Sequence, residues 1–324
     1  MTVTRDGATG EFADRPVEQF ATGFQRTSVH RVDHGYVLVR RPGSHRPTPL
    51  EPPHPEALAA LRALRTAEMR LVLPVAVDDA LHYRVPGTGV AAKLSVPGDC
   101  GIPNAHVASA LHGTGAALRQ LHAEVPVSVA RAGPPGPARL AAWLQSERPP
   151  AGPGAAGALH SVALRRLGSE RWRRVLDWCE ELAAGHARDV FLHGAPSLGS
   201  IVVSPQFPHG WLMIGEDLAR GPADHDLGWL LGEFVEWRMT LHRPVPAQVP
   251  PMDPEAYEAA HAALLKGYGP LSDPVAAGRA AVLRVFTHAH DFAAYMGWHE
   301  ELFEYTAKIA ELIDDEGTRA ITVP

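Results

Sequence analysis

The hydrophobic periodicity of this chain changes character between residues 97 and 103, and that switch constrains the fold more than any other feature. Before it, apolar residues come in short alternating or β-branched runs: 24–32, GYVLVRR at 35–41, LVLPVAV at 71–77, LHYRV at 81–85 and VAAKLSV at 90–96. Short runs of this kind bounded by Gly, Pro and Asp read as strands. Asp33, His34 and Gly35 give the first two a hairpin turn. One helix interrupts them: PEALAALRALRTAEM, 55–69, has Leu58, Leu61 and Leu64 at spacing three, with Pro55 suited to a first turn. After the switch the helical period dominates. From Asn104, a candidate cap, Val107, Leu111, Leu118 and Leu121 mark one face, and ERWRRVLDWCEELAAG at 170–185 ends on a suitable Gly. A Gly, Pro and Ala segment at 130–158 holds one short helix, PARLAAWLQSE. The expected fold class is α+β, with a loose polar arm at 1–19, a small β-rich lobe at 20–102, and a large helical lobe at 103–324 carrying a few strands in its middle.

Composition narrows the function classes. In a chain of 324 residues with 45% apolar side chains, a sizeable core can form, and a length of this order fits two lobes. Acidic groups number 36 against 30 Lys and Arg, with a pI near 6.3, so no basic field for nucleic acid is expected. Two cysteines, Cys100 and Cys179, make no multi-bridge framework and no zinc pair, which points to a reducing cytoplasm. The acidic, polar start lacks an apolar h-region, and no run of about 18 apolar residues occurs, so neither a secretory signal nor a membrane partner is expected.

The stretch from 189 to 236 carries the chemistry. RDVFLHGAPSLGSIVVSP contains two strands flanking a polar loop; GWLMI is a third strand that ends in Gly215, Glu216 and Asp217; a helix then begins near Asp226. Ser197 approximates a nucleophile elbow, but an elbow needs a helix directly after the serine and SIVVSP reads as a strand. His288 and His290, two apart, share no helix face, which argues against a metal pair. His193 has two readings, a catalytic-loop residue or a ring that ties loop backbone together. Asp226, ahead of Leu227, Leu230, Leu231 and Phe234, reads as a cap or loop clamp.

These motifs, in this order, resemble the aminoglycoside-phosphotransferase-like (choline-kinase-like) kinases, whose pattern is a strand, H-G-D, four residues, N, two short strands, an I-D metal motif and D-P-x-x-D-L. His193, Gly194, Ser200, the turn from Ile214 to Asp217 and the run from Gly221 to Leu227 occupy those places. The resemblance covers about 20–310 and implies a bilobal protein-kinase-like fold that binds ATP and Mg2+ between its lobes. It assigns catalytic roles to His193, Asp217 and Ser200, metal ligation to Asp217, Glu216 and Ser200, and nucleotide contacts to Gly23, Thr27, Arg40, Glu56, Lys93 and Leu94. Among these, Arg40 is the phosphate-pairing cation, Glu56 its ion-pair partner, and Lys93 and Leu94 belong to the hinge strand.

The chain departs from the pattern at key places. Ala195 stands where the H-G-D aspartate would be, Ser200 replaces the asparagine, Gly215-Glu216-Asp217 replaces an aspartate directly after Ile, and Arg40 replaces a lysine. Loss of a general base costs about 100-fold to 10,000-fold in rate. The expected activity is ATP-dependent phosphorylation of a hydroxyl, with Ser or Thr of a natural-product precursor peptide ranked first. The composition, rich in Ala, Pro, Gly and Arg, suggests an actinobacterial style of protein, and divergent members of the family that this chain resembles act there as kinases of this kind in class V lanthipeptide and thioamitide pathways. A precursor peptide and a lyase acting after the kinase would be its partners. The alternatives are a small-molecule, aminoglycoside-type phosphotransferase and a pseudokinase that binds nucleotide or a partner as a scaffold. Acidic side chains on the C-terminal helices, including Glu233, Glu236, Glu311, Asp314 and Asp315, are candidates for an acceptor face.

Overall fold

A computed structural model describes residues 15–88, 102–130, 132–146, 154–241 and 253–322. Strands β1 (Glu18–Ala21), β2 (Gln25–Val32) and β3 (Gly35–Pro42) form where the β-branched runs predict them, and helix α1 follows at Pro55–Ala63. Gly35 makes the β2–β3 turn at φ +110, and a Cβ there would collide with the carbonyl of Val85. Helix α1 is shorter than the predicted 55–69, because Leu64 adopts an extended backbone and the chain turns into β4 (Met69–Val72).

The run LVLPVAV does not make one strand. Pro74, which has no N–H, separates β4 from β5 (Val75–Val77), and the two halves join different sheets. Strand β5 pairs with β6 (Ala80–Val85) and completes an antiparallel sheet of order β1-β2-β3-β6-β5. In this sheet Thr27 lies opposite Arg40, and Leu38 opposite Tyr83. The last two residues of the predicted arm, Glu18 and Gln19, pair with β2.

Beyond residue 102 the chain is mainly helical: α2 (Asn104–Glu124), α3 (Pro135–Leu144), α4 (Ala156–Ala184, broken at Gly168), and then a group of short strands. These are β7 (Val190–Leu192), β8 (Ile201–Val202), β9 (Gly210–Met213) and β10 (Ala219–Gly221). Helices α5 (His225–Leu241), α6 (Pro254–Tyr268), α7 (Pro274–Tyr295), α8 (Glu301–Asp314) and α9 (Thr318–Ile321) complete the described chain. Strand β4 pairs in parallel with β9, which also pairs with β8, while β10 pairs with β7. Apolar burial follows this division. One core joins α3, α4, α7 and α8 around Trp143, Trp172 and Phe286, and a second joins α2, α5 and α6. A third layer spans both parts, setting Val29, Leu38 and Tyr83 of the upper sheet against Val202, Trp211 and Met213. No described helix is long and apolar enough to cross a membrane.

Candidate active site

The 193–200 loop sits where it does because β7 and β10 pair, with Leu192 opposite Ala219. Two loops leave this short ribbon at the same end, one beginning at His193 and the other, before β10, containing Glu216 and Asp217. At Gly194 the backbone takes φ +91, and a Cβ would run into the Asp217 carbonyl oxygen, so the two loops approach closely only because that position is glycine. Asp226, in the first turn of α5, fixes the first loop from below. Its carboxylate accepts the backbone N–H of His193 at 2.7 Å and of Gly194 at 2.9 Å, and the Nε2–H of His122 at 3.0 Å. Burial opposes its charge, but the His122 hydrogen bond and the surrounding imidazoles hold the Asp226 carboxyl below the usual carboxylate range. Asp226 is therefore the loop clamp of the two roles open to it. His193 likewise ties backbone together, donating through Nε2 to the Met213 carbonyl at 3.0 Å. The opposite ring nitrogen is buried without a partner.

Arg40 reaches down from β3 to Glu216, with Nη1 and Oε1 2.5 Å apart. Burial and the adjoining Glu216 carboxylate push the hydroxyl of Tyr83 on β6 up, and its ring lies under the guanidinium at 5.4 Å. Burial works against the charge on Arg40 and the Glu216 carboxylate overcomes it. The predicted pairing of Arg40 with Glu56 is not formed. Glu56 lies on the exposed side of α1, whose buried residues are Ala57 and Leu61, and its neighbouring charge is His54 at 3.8 Å.

Asp217 is the other half of the pair, and it has no hydrogen bond or ion pair within 4 Å among the described residues. Burial pushes the Asp217 carboxyl up, adjacent Glu216 adds to this, and Arg139, Arg46 and His193 pull in the other direction. Of the three predicted metal ligands it alone keeps a free donor set. Glu216 is committed to Arg40. Ser200 is 3% exposed, and its hydroxyl closes the turn by donating to the Ser197 carbonyl at 2.8 Å and accepting the Ser197 N–H at 3.0 Å. Hydrogen bonding within this turn, invisible to a sequence pattern, occupies the Ser200 hydroxyl. No cluster of three metal-ligating side chains exists among the described residues. One free carboxylate still fits magnesium, which takes one or two carboxylates and fills the rest of its octahedron with water and phosphate oxygens. Ser197 meets Ser200, Oγ to Oγ at 2.9 Å, and caps a single 3-10 turn, Leu198–Ser200, that runs into strand β8; no α-helix of the kind a nucleophile elbow needs follows the serine.

Gly23 and Thr27 stand at the hairpin above this site. Gly23 lies in the turn before β2, where its carbonyl accepts the His45 N–H at 2.9 Å, and Thr27 faces Arg40 across the ladder. Lys93 and Leu94 lie outside the described residues. Four side chains around the site were not picked out from the sequence: Tyr83, Arg46, Arg139 and Arg284. The last sits behind the loop, where it donates to Glu233 at 2.9 Å and to Glu236 at 2.8 Å, and Glu233 in turn accepts the Leu198 N–H at 2.6 Å. These glutamates are thus interior struts, not an acceptor face. Glu311, Asp314 and Asp315 are likewise paired, with Lys308, Arg171 and Arg319.

No protein-family model and no curated protein sequence matches this chain. Solved structures do match in fold. Amicoumacin kinase in complex with AMP-PNP, Ca2+ and Ami superposes with a TM-score of 0.55 at 13% identity, over 94% of this chain and 90% of that one. Spectinomycin phosphotransferase in complex with ADP and spectinomycin gives 0.51 at 10% identity, over 95% and 93%. Ethanolamine kinase of Plasmodium vivax gives 0.50 at 10% identity, over 94% and 83%. A small antiparallel sheet, a mostly helical remainder and these superpositions together give the chain the bilobal fold of the aminoglycoside-phosphotransferase-like and ethanolamine-kinase-like enzymes.

Proposed function

We propose that the chain is an ATP-dependent phosphotransferase that acts on a hydroxyl group. The observation that carries this reading is the meeting, between the upper sheet and the helical part, of a strand-borne Arg40, the Glu216 and Asp217 carboxylates and the clamped 193–200 loop. Phosphoryl transfer passes through a loose transition state, so a protein lowers its barrier chiefly by positioning groups and neutralising phosphate charge. Asp217 is the side chain available to hold Mg2+, whose contribution there would be to neutralise phosphate charge. The loop turn, braced by Asp226 and Glu233, presents backbone in a fixed place against which an acceptor hydroxyl can be oriented. With Ala195 in the loop no carboxylate stands ready to take the hydroxyl proton, so slow turnover is expected, by about 100-fold or more.

The acceptor class favoured is a small hydroxylated natural product, since two of the superposing neighbours carry spectinomycin and Ami beside nucleotide. Phosphorylation of Ser or Thr in a precursor peptide, with a lyase as later partner, is the finer reading and rests on motif resemblance and composition. A scaffold pseudokinase is the second reading. It is favoured by Ala195 together with the Arg40 pair to Glu216, which occupies the cation otherwise due to phosphate.

Thermal-shift titration with Mg-ATP, followed by mass spectrometry for an added phosphate on aminocyclitols and on Ser/Thr peptides, separates these readings. Stabilisation by nucleotide is expected. None at millimolar Mg-ATP would remove the kinase reading, and stabilisation without any phosphorylated acceptor leaves the scaffold.

A further inference from the structure

One aromatic side chain lies against two guanidinium groups beside the carboxylates. Phe24, in the turn between β1 and β2, has the Arg46 guanidinium carbon 4.3 Å from its ring centroid and that of Arg139 at 4.5 Å. Its backbone is held there, since the Phe24 carbonyl accepts the Gly43 N–H at 2.9 Å, the Gly23 N–H donates to Tyr295 at 3.4 Å, and the ring packs 5.2 Å from that of Tyr295. Neither arginine is fully used. Arg139 donates to Asp291 at 2.9 Å through one terminal nitrogen, and its buried Nε has no partner. Arg46 donates its Nε to the Thr48 carbonyl at 3.0 Å. Both guanidiniums lie close enough to Asp217 to act on its charge, and they also act on each other.

A guanidinium that grips a phosphate through two N–H···O bonds places the phosphorus about 4 Å from its central carbon. The ring centre of Phe24 stands at nearly that distance from both arginines. An oxyanion satisfies guanidinium donors that an aromatic face leaves unpaired. We propose that Arg46 and Arg139 form a two-armed clamp for the terminal phosphate of a polyphosphate ligand, and that Phe24 keeps the place until the hairpin tip lifts. The identity of the ligand as a nucleoside triphosphate rests on the phosphotransferase reading above; the clamp itself rests on the two arginines and the ring between them. It moves the gripping of phosphate from Arg40, which Glu216 holds, to one residue from the loop after β3 and one from α3. Because those elements lie on opposite sides of the cleft, an anion bound there would draw them together.

Calorimetric titration of the full chain with tripolyphosphate, Mg-ATP and adenosine tests the clamp. Tripolyphosphate and Mg-ATP bind the wild type, and Arg46→Gln and Arg139→Gln each weaken both by about 10-fold or more while adenosine affinity is unchanged. Phe24→Ala, at a half-buried position outside the cores, tightens tripolyphosphate by about 3-fold to 10-fold. Tripolyphosphate affinity unchanged in arginine variants that melt like the wild type overturns the proposal, as does weaker binding by Phe24→Ala. If an arginine variant does not fold, the Phe24→Ala result decides alone. Failure of the parent reading looks different: tripolyphosphate binding that needs both arginines, without Mg-ATP binding, keeps the clamp and removes the nucleotide. Mg-ATP binding indifferent to both arginines does the reverse.

Discussion

Two buried arginines in this molecule meet glutamates, and they are used differently. Arg284 on α7 is shared by Glu233 and Glu236 of α5, all within the helical part, and every strong donor and acceptor there has a partner. Arg40 on β3 meets Glu216 across the cleft, where Asp217 next to it is left without an ion-pair partner among the described residues and two further arginines crowd the same space. A closed network holds a fold together; an incomplete one has capacity for a ligand. The position of the leftover charge, more than the presence of charge, marks the site.

The contrast can be broken most directly at the two arginines. Arg284→Met leaves two carboxylates inside the helical part uncompensated, one of them, Glu236, already pushed up to about 8 by burial, with Arg284 opposing and Glu233 adding. A loss of about 3–5 kcal/mol is expected, read as a fall of roughly 10 °C in Tm. Arg40→Met costs less, about 1–3 kcal/mol, since it leaves one carboxylate without its partner where Arg284→Met leaves two. Equal losses would mean that the cleft pair is as structural as the other.

Acid sharpens the comparison from another side. His225 and His261 are each 1% exposed, and burial pushes both down to about 4, with nearby Arg238 adding to the effect at His261. The unfolded chain binds those protons from about pH 6.5, whereas the folded chain refuses them until near pH 4, so stability falls as pH drops through that window. The loss is on the order of 3 kcal/mol per histidine at most, and His261→Gln should flatten the fall in a series of thermal melts. A flat profile in the wild type would show that these rings are not held neutral.

The smallest stability effect is expected at the residue proposed to hold magnesium. Asp217→Asn removes a carboxyl that burial already disfavours, so Tm should hold or rise by about 1–2 °C while turnover is lost. Full activity would move the metal role elsewhere.

Much of the fold was legible because period is a local property. Short β-branched runs up to residue 85 and three-and-four spacing after 103 needed no partner to be read, while the run at 90–96 lies outside the described residues. Partners were harder. Nothing local in LVLPVAV tells which sheet each half joins, although Pro74 marks the break. Arg40 could be recognised as a strand cation from its run, but its choice of Glu216 over Glu56 depends on a contact 176 residues away. Arg46 and Arg139 gave no signal, one in a Pro-rich connection and the other in a short helix among many arginines. Asp226 was legible as a clamp because its place before an apolar helix is a local signal.

Strand β4 gives the molecule a mechanical character. It leaves α1 near the upper sheet yet is bonded along its length to β9 in the helical part, and only Leu73 and Pro74 separate it from β5, which returns to the upper sheet. The upper sheet is thereby pinned at one edge like a door at its jamb. Any opening of the upper sheet about the Pro74 corner would carry the hairpin tip with Phe24, at the opposite edge of the sheet, through the widest arc.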